Sequence, residues 1–366
     1  MNIFIFFNLM TPTIVSAEFL LDAVPKSLEP LAVQRPIIVD VRSPGEFATD
    51  HVPSAINLPV LDDEQRHRIG TLYAQDRFEA KKLGAAMVSK NIAMHLEGPI
   101  RSWKKTDQVL VYCWRGGQRS QSLGHVLAQV GLTVQILDGG YRAYRSALIK
   151  GLADLVAPFR WRVVCGMTGC GKTRLLKALA GQGRQVLDLE AIARHRGSLL
   201  GLGPGEEQPS QKLFESNLWH ALHCLNPERP VYVESESRKI GQVQVPEALI
   251  TAMRASECLE LRATDDSRVR LLIEEYAHFL EDPQALNTQL KKLVSHHGHE
   301  RVQEWLDKVE AGQWEAFVQS ILTEHYDPSY TSSIHRNFPG IFEATPLVLP
   351  GIRLQDYESL AASLSG

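Results

Sequence analysis

Three observations predict an α/β protein of two domains, each built on a parallel sheet with helices on both faces. The stretch VLVYCWRGGQRSQSLG (109–124) reads as strand, glycine-rich turn and helix. WRVVCGMTGCGKTRLL (161–176) repeats that layout, with a lysine in the place of the cysteine. Around both, short apolar runs alternate with amphipathic stretches, the pattern of parallel strands linked by helices. Finally, 366 residues exceed the ~250–300 at which a single hydrophobic core stops growing.

In chain order, the opening MNIFIFFNLM is apolar but too short to span a bilayer, and it lacks the basic start of a signal peptide. IVSA, ending at Ala17, offers the weaker reading of a cleavage site. Residues 1–16 are therefore expected to be an extension with a loosely packed start, on a cytoplasmic protein with no membrane segment. RPIIVDVRSPGEF places a dense apolar strand, Ile37 to Val41, before a Ser-Pro-Gly turn and an acidic helix start. HVPSAINLPV supplies a second short strand, and residues 62–107 read mostly as helix, with apolar residues three and four apart. QVLVYC is a strand, SQSLGHVLAQVG a helix ending at Gly131, and TVQILDGGY a strand leading into a helix.

A domain over 17–147 and a linker over 148–158, ending in Ala157-Pro158, follow from this pattern. The second domain, 159–366, restarts it. RVVCGMTG and RQVLDLEAIA each run from strand into loop or helix, and RPVYVESES is a strand ending in carboxylates. CLELRATDDSRVRLLIEEYAHFL is a strand and a long amphipathic helix, and residues 280–325 look helical and rich in charge and histidine.

The composition, 44% hydrophobic and 22% charged, is that of an ordinary globular protein. A net charge of −3 means that any nucleic-acid surface is local rather than chain-wide. Five cysteines, without paired metal-ligand spacing, argue against a disulfide framework and a zinc site, and fit a reducing compartment.

Cys113 closes its strand, and Trp114, Arg115, Gly116, Gly117 and Gln118 wrap ahead of a helix starting near Ser120. Adjacent glycines let backbone N–H groups turn inward as an anion nest, the helix start adds partial positive charge, and Arg119 offers a fork of donors. Such a field favours thiolate over thiol and holds a tetrahedral oxyanion against the sulfur. A buried space-filling cysteine would have no use for such a loop.

Gly166 to Thr173 match G-x-x-x-x-G-K-[ST] between strand and helix, the context that makes the motif a phosphate-binding loop. Gly166, Thr168, Gly169, Cys170, Gly171, Lys172 and Thr173 are expected to hold a diphosphate, with the Lys172 charge against it. The Thr173 hydroxyl is a magnesium ligand in such loops, and Glu234, at a strand end, is a candidate second one. Helix capping or a salt bridge competes for Glu234 and its neighbour Glu236. Asp188, Glu190, His195 and Arg196 follow another strand, as substrate contacts or as a solvated helix face. Arg238 and Lys239 could meet phosphate or RNA, whereas Arg262, Arg268 and Arg270 read as surface charges. Cys165 and Cys170 read as small space-fillers. No tightly bound cofactor is expected.

DVRSPGEFATDHVPSAINLPV, the cysteine loop and LDGGYRAYR together resemble a rhodanese domain, a family that implies sulfur or selenium transfer through a cysteine adduct. Cys113 to Arg119 is C-x5-R, one residue longer than the common rhodanese loop. Related phosphatases use the longer loop for phosphate, so a phosphorus-bearing donor or a phosphatase activity suits it. Fused to a phosphate-loop domain bearing DLEAIARHRGSLLG, VESESRKIG and HYDPSY, the chain resembles the tRNA 2-selenouridine synthase family. That resemblance implies a transferase that replaces sulfur by selenium in 2-thiouridine at the tRNA wobble position, with selenophosphate as donor. It implies an S-geranylated intermediate made from geranyl diphosphate, and Cys113 as the carrier of an S-selanylcysteine adduct. tRNA, the two co-substrates and a selenophosphate-producing enzyme are the partners this chemistry calls for. A rhodanese-type sulfurtransferase coupled to a nucleotide kinase or ATPase keeps both loops and is the alternative. An RNA-binding module without activity is disfavoured by two independent anion cradles.

Overall fold

The computed structural model describes residues 11–26, 35–197 and 207–364. The apolar opening, residues 1–10, lies outside them. The chain divides into two compact units, Met1–Ala153 with Glu215–Cys224, and Asp154–Phe214 with Leu225–Gly366. Among the described residues no helix is long and apolar enough to cross a membrane.

In the first unit the order is β1 (Thr13–Val15), α1 (Ala17–Ala23), β2 (Ile37–Asp40), α2 (Pro44–Thr49), β3 (Ile56–Asn57), α3 (Asp63–Gln75), α4 (Arg77–Glu97), β4 (Gln108–Tyr112), α5 (Gln118–Val130), β5 (Thr133–Leu137) and α6 (Gly140–Val156). The strands form one sheet in the order β1-β5-β4-β2-β3, and every pairing is parallel. Local chemistry starts the helices where the turns predict: Ser43 and Glu46 close a capping box on α2 with Pro44 in its first turn, and Asp62 and Gln65 do the same on α3. Val39, Val109, Val111 and Val134 from the strands, with Val41 just after β2, meet Leu123, Leu127 and Ala128 from α5 in one buried cluster. Alternate strand residues and residues three to four apart on α5 thus face one core. Two details differ from expectation. Thr13–Val15, counted with the extension, is an edge strand registered on Gln135–Leu137. Residues 148–156, expected as part of a joint, continue α6.

The second unit carries β6 (Trp161–Cys165), α7 (Lys172–Gly181), β7 (Gln185–Leu187) and α8 (Leu189–Ala193). Then come α9 (Gln211–His223), whose residues from Glu215 on belong with the first unit, and β8 (Val231–Glu234). A small antiparallel hairpin, β9 (Lys239–Ile240) and β10 (Val243–Gln244), precedes α10 (Glu247–Arg254), β11 (Glu257–Arg262) and α11 (Asp265–Glu275). The helical run is α12 (His278–Glu281), α13 (Pro283–Leu290), α14 (Val294–Glu310), α15 (Trp314–Ile321), a π-helical turn (Leu322–Tyr326) and α16 (Asp327–Asn337). β12 (Pro346–Val348) and α17 (Leu354–Ser363) close the chain.

The five-stranded sheet has the order β12-β11-β6-β8-β7, again all parallel. β6 is thus central, and the loop after it opens at the carboxyl end of the sheet, where ligands of such folds bind. Leu175, Leu176 and Leu179 of α7 pack with Val164, Leu261, Tyr232 and Tyr357. The helical run has its own core, including Phe279, Leu286, Trp305, Phe317 and Ile321.

Candidate active sites

Cys113 follows β4 directly and is 3% exposed. Gly117 N–H lies 3.2 Å from its sulfur, and so does the Ser120 hydroxyl. That hydroxyl is also 3.0 Å from the Gly117 carbonyl. It has one proton to give, and a negative sulfur is the stronger claimant. The first-turn amides of α5 have no intrahelical acceptor and add to the positive end beside the sulfur.

The loop is fixed from behind by LDGGY. Tyr141 N–H donates to the Cys113 carbonyl at 2.8 Å and Arg142 N–H to the Trp114 carbonyl at 3.2 Å. Gly140 has φ +59°, and a Cβ there would stand 2.3 Å from the Cys113 carbonyl and 2.5 Å from Gly116 N. Only glycine permits that approach. Tyr141 also stacks on Trp114, with ring centroids 5.2 Å apart, and donates from its hydroxyl to Asp50 at 2.6 Å. The Arg42 guanidinium sits 3.9 Å over the Tyr141 ring, bonds both oxygens of buried Asp40, and reaches the Asp50 carbonyl at 2.6 Å. DVRSPGEF…DHV is therefore the scaffold of the cysteine loop.

Arg119, expected as a donor to an anion in the nest, has its terminal nitrogen on Glu46 at 2.9 Å. Burial opposes the charge on Glu46, but Arg119, the Ser43 amide and Arg66 outweigh it and hold this carboxyl below its usual range. The capping box of α2 places that carboxylate before any ligand arrives. Arg115 and Gln118 are exposed, while Trp114, Gly116 and Gly117 are half-buried around the loop.

In the second unit Lys172 opens α7 and folds back, its Nζ 2.9 Å from the Gly166 carbonyl. Gly166 N–H donates to the Tyr330 hydroxyl, and Lys172 Nζ stands 5.7 Å over the Tyr330 ring. Gly171 has φ +81°, and a Cβ there would meet the Tyr357 hydroxyl at 2.1 Å. Thr168 accepts from Arg268 Nε through its carbonyl at 2.9 Å. Cys170 lies under Gly166, and Cys165 beneath the loop; both are buried, with thiols pushed up, Cys170 by burial and Cys165 by its bond to Cys258 and by burial.

The Thr173 hydroxyl reaches Glu190 at 3.2 Å and Glu234 at 3.4 Å. Glu190, Glu234 and Glu236 each bring a carboxylate oxygen within 4.8 Å of the others. Burial, then Glu190 and Glu236, push Glu234 far above the usual carboxylate range. Burial and Glu190 push Glu236 up to about 7, and burial raises Glu190. Burial also opposes the charge of Lys172, but Cys170, Tyr330, Glu234 and Glu236 outweigh it and its pKa is raised. Glu234 Oε1 is buried with no hydrogen-bond partner. Three clustered carboxylates, one with an orphaned oxygen, and a hydroxyl beside them are a hard-cation donor set.

These groups line one cleft of about 850 Å³. His195, Arg196 and Arg238 also face it. Asp188 also lines it while capping α8, accepting from Ala191 N–H at 2.8 Å, and Lys239 is exposed in β9. Arg262 and Arg270 are exposed and paired with Glu260 and Asp266, as surface charges should be. Arg268 corrects the expectation made for it. It is 2% exposed, joins Thr168 to Asp327 and Asp265, and ties HYDPSY to the phosphate loop. Tyr330, Asp327 and Arg268 were missed as site residues because each is far along the chain from its partner.

Family models agree with both halves. One described as "tRNA 2-selenouridine synthase AAA domain" matches residues 159–342, and one described as "Rhodanese-like domain" matches 24–147. A protein of Alcanivorax borkumensis named "tRNA 2-selenouridine synthase" is 31% identical over 329 residues, covering 82% of this chain and 90% of its own. Proteins of that name from Nitrosomonas europaea and Marinobacter nauticus are 31% and 33% identical, covering 82% and 80% of this chain and 89% and 87% of theirs. With matching halves, in this order and over this length, the chain belongs to the tRNA 2-selenouridine synthase family.

Proposed function

We propose that the protein is a transferase that replaces sulfur by selenium in 2-thiouridine at the tRNA wobble position, with selenophosphate as donor and an S-geranyl intermediate made from geranyl diphosphate. The observation that carries this reading is the presence of two anion cradles of different chemistry in one family chain: a sulfur with two donors aimed at it, and a lysine-bearing loop beside three carboxylates.

In the first step the thiouridine sulfur attacks C1 of the geranyl group. The C1–O bond breaks, and diphosphate leaves with the electron pair into the amides of Gly169 to Thr173 and the Lys172 ammonium. Thr173, Glu190, Glu234 and Glu236 would hold magnesium, which supplies positive charge to the leaving oxygens. In the second step selenide-level selenium from selenophosphate forms the bond to C2 of the base, the C2–S bond breaks so that geranylthiol leaves with a proton, and water takes up the phosphoryl group as phosphate. Cys113 activates the donor, with Gly117 N–H and the Ser120 hydroxyl stabilising charge on its sulfur. Selenophosphate is a tetrahedral anion and suits the longer loop.

Lys172→Ala removes the charge that faces the leaving group, and should slow geranylation of 2-thiouridine tRNA by about 100-fold or more. Mass spectrometry of the product nucleosides reads it. Full-rate geranylation by the variant, or ATP consumed in step with modified tRNA, would overturn the assignment of this loop.

A further inference from the structure

Beside the phosphate loop lies a second cavity, of about 60 Å³, with an almost wholly apolar lining. Its floor is made by Phe279, Trp314, Phe317 and Ile321 from the helical run. Its mouth is made by Thr168, Leu272, Tyr276 and Tyr326, and these four residues also line the diphosphate cleft. A packing defect inside a helical core would have no reason to share a wall with a phosphate site. The π-helical turn Leu322–Tyr326 ends at Tyr326 in that shared wall, and such turns gather at functional sites.

We propose that this cavity receives the far end of the prenyl chain whose diphosphate occupies the loop, and that its floor sets the chain length accepted. The proposal rests on the diphosphate reading of the loop given above. The two adjoining spaces have opposite chemistry, one charged and one apolar, so they fit a single molecule with a diphosphate head and a hydrocarbon tail. An apolar cavity of about 150 Å³ takes benzene. The 60 Å³ here therefore takes only the terminal branched end of a ten-carbon chain, with the rest over Leu272 and Tyr276. C1 then stays by Thr168, where a nucleophile can reach it from the cleft. A five-carbon chain stops short of the floor, and a fifteen-carbon chain is blocked by Trp314 and Phe317.

The test measures binding of inorganic diphosphate and of dimethylallyl, geranyl and farnesyl diphosphates to the full-length protein with magnesium. Burial of the chain end should make geranyl diphosphate bind about 10–100-fold tighter than inorganic diphosphate. Val318, half-buried on the cavity wall, offers a filling variant. Val318→Phe should weaken geranyl diphosphate by about tenfold and leave inorganic diphosphate unchanged, which also certifies its fold. Phe317→Ala should raise farnesyl transfer relative to geranyl by about tenfold. Equal affinities for inorganic and geranyl diphosphate, or a Val318→Phe protein that binds geranyl diphosphate as before, overturn the cavity proposal and leave the loop reading standing. A wild-type protein that binds neither overturns both.

Discussion

At Cys113 the competition is between a sulfur and a carbonyl for the one proton of Ser120, 3.2 Å from the first and 3.0 Å from the second. A neutral thiol leaves that proton on the Gly117 carbonyl, whereas a negative sulfur would draw it. The carboxylates of the second unit present the opposite problem. Glu236 titrates at about 7 in the fold, against 4.5 for an ordinary glutamate, because burial and Glu190 resist its charge. The native state keeps a proton that the unfolded chain releases, so stability is greatest below about pH 4.5 for this group and is lost as pH rises towards 7. With a chelator present, the melting temperature should therefore fall between about pH 5 and pH 7.5, and Glu236→Gln should flatten part of that fall. Magnesium held among these glutamates would replace the protons and should therefore stabilise more at about pH 8 than at pH 5. A magnesium effect independent of pH would contradict the placement of the ion among these glutamates.

At the scale of elements, both sites sit at the carboxyl ends of central parallel strands, and each is locked by a remote segment. β4 and α5 present the cysteine loop, and the start of α6 seals it through Gly140, Tyr141 and Arg142. Gly140→Ala places a methyl group within 2.3 Å of the Cys113 carbonyl at a backbone angle that alanine avoids. It should destabilise the protein by about 1–3 kcal/mol and lower selenium transfer, while geranylation by the folded fraction persists. Chemical denaturation and product analysis check the two halves separately, and unchanged selenium transfer would show that LDGGY does not position the loop. In the second unit the lock is HYDPSY, which reaches the phosphate loop through Tyr330 and, through Asp327, by way of Arg268.

For the whole molecule, the elements were legible because their signals are local. The strand–glycine–helix layouts and Gly131 after α5 each lie within a few residues of what they determine. The locking contacts were not. Tyr330 is 164 residues from Gly166 and Arg268 is 100 from Thr168, and no period in the chain connects them. Arg268 stands in a charged stretch between Arg262 and Arg270, and nothing local sets it apart from them as a buried residue. Only the fold shows that it points inward. Nothing local to Arg119, expected as a donor to an anion in the loop, betrays its partner Glu46, which lies 73 residues away on α2.

The proposed chemistry is divided between two cradles, and the most direct test is the set of nucleosides that a Cys113→Ala protein makes from 2-thiouridine tRNA, geranyl diphosphate and selenophosphate. Mass spectrometry should find S-geranyl-2-thiouridine accumulating at close to the wild-type rate, with no 2-selenouridine. Selenouridine formed without the Cys113 sulfur, or loss of geranylation along with it, would contradict the division.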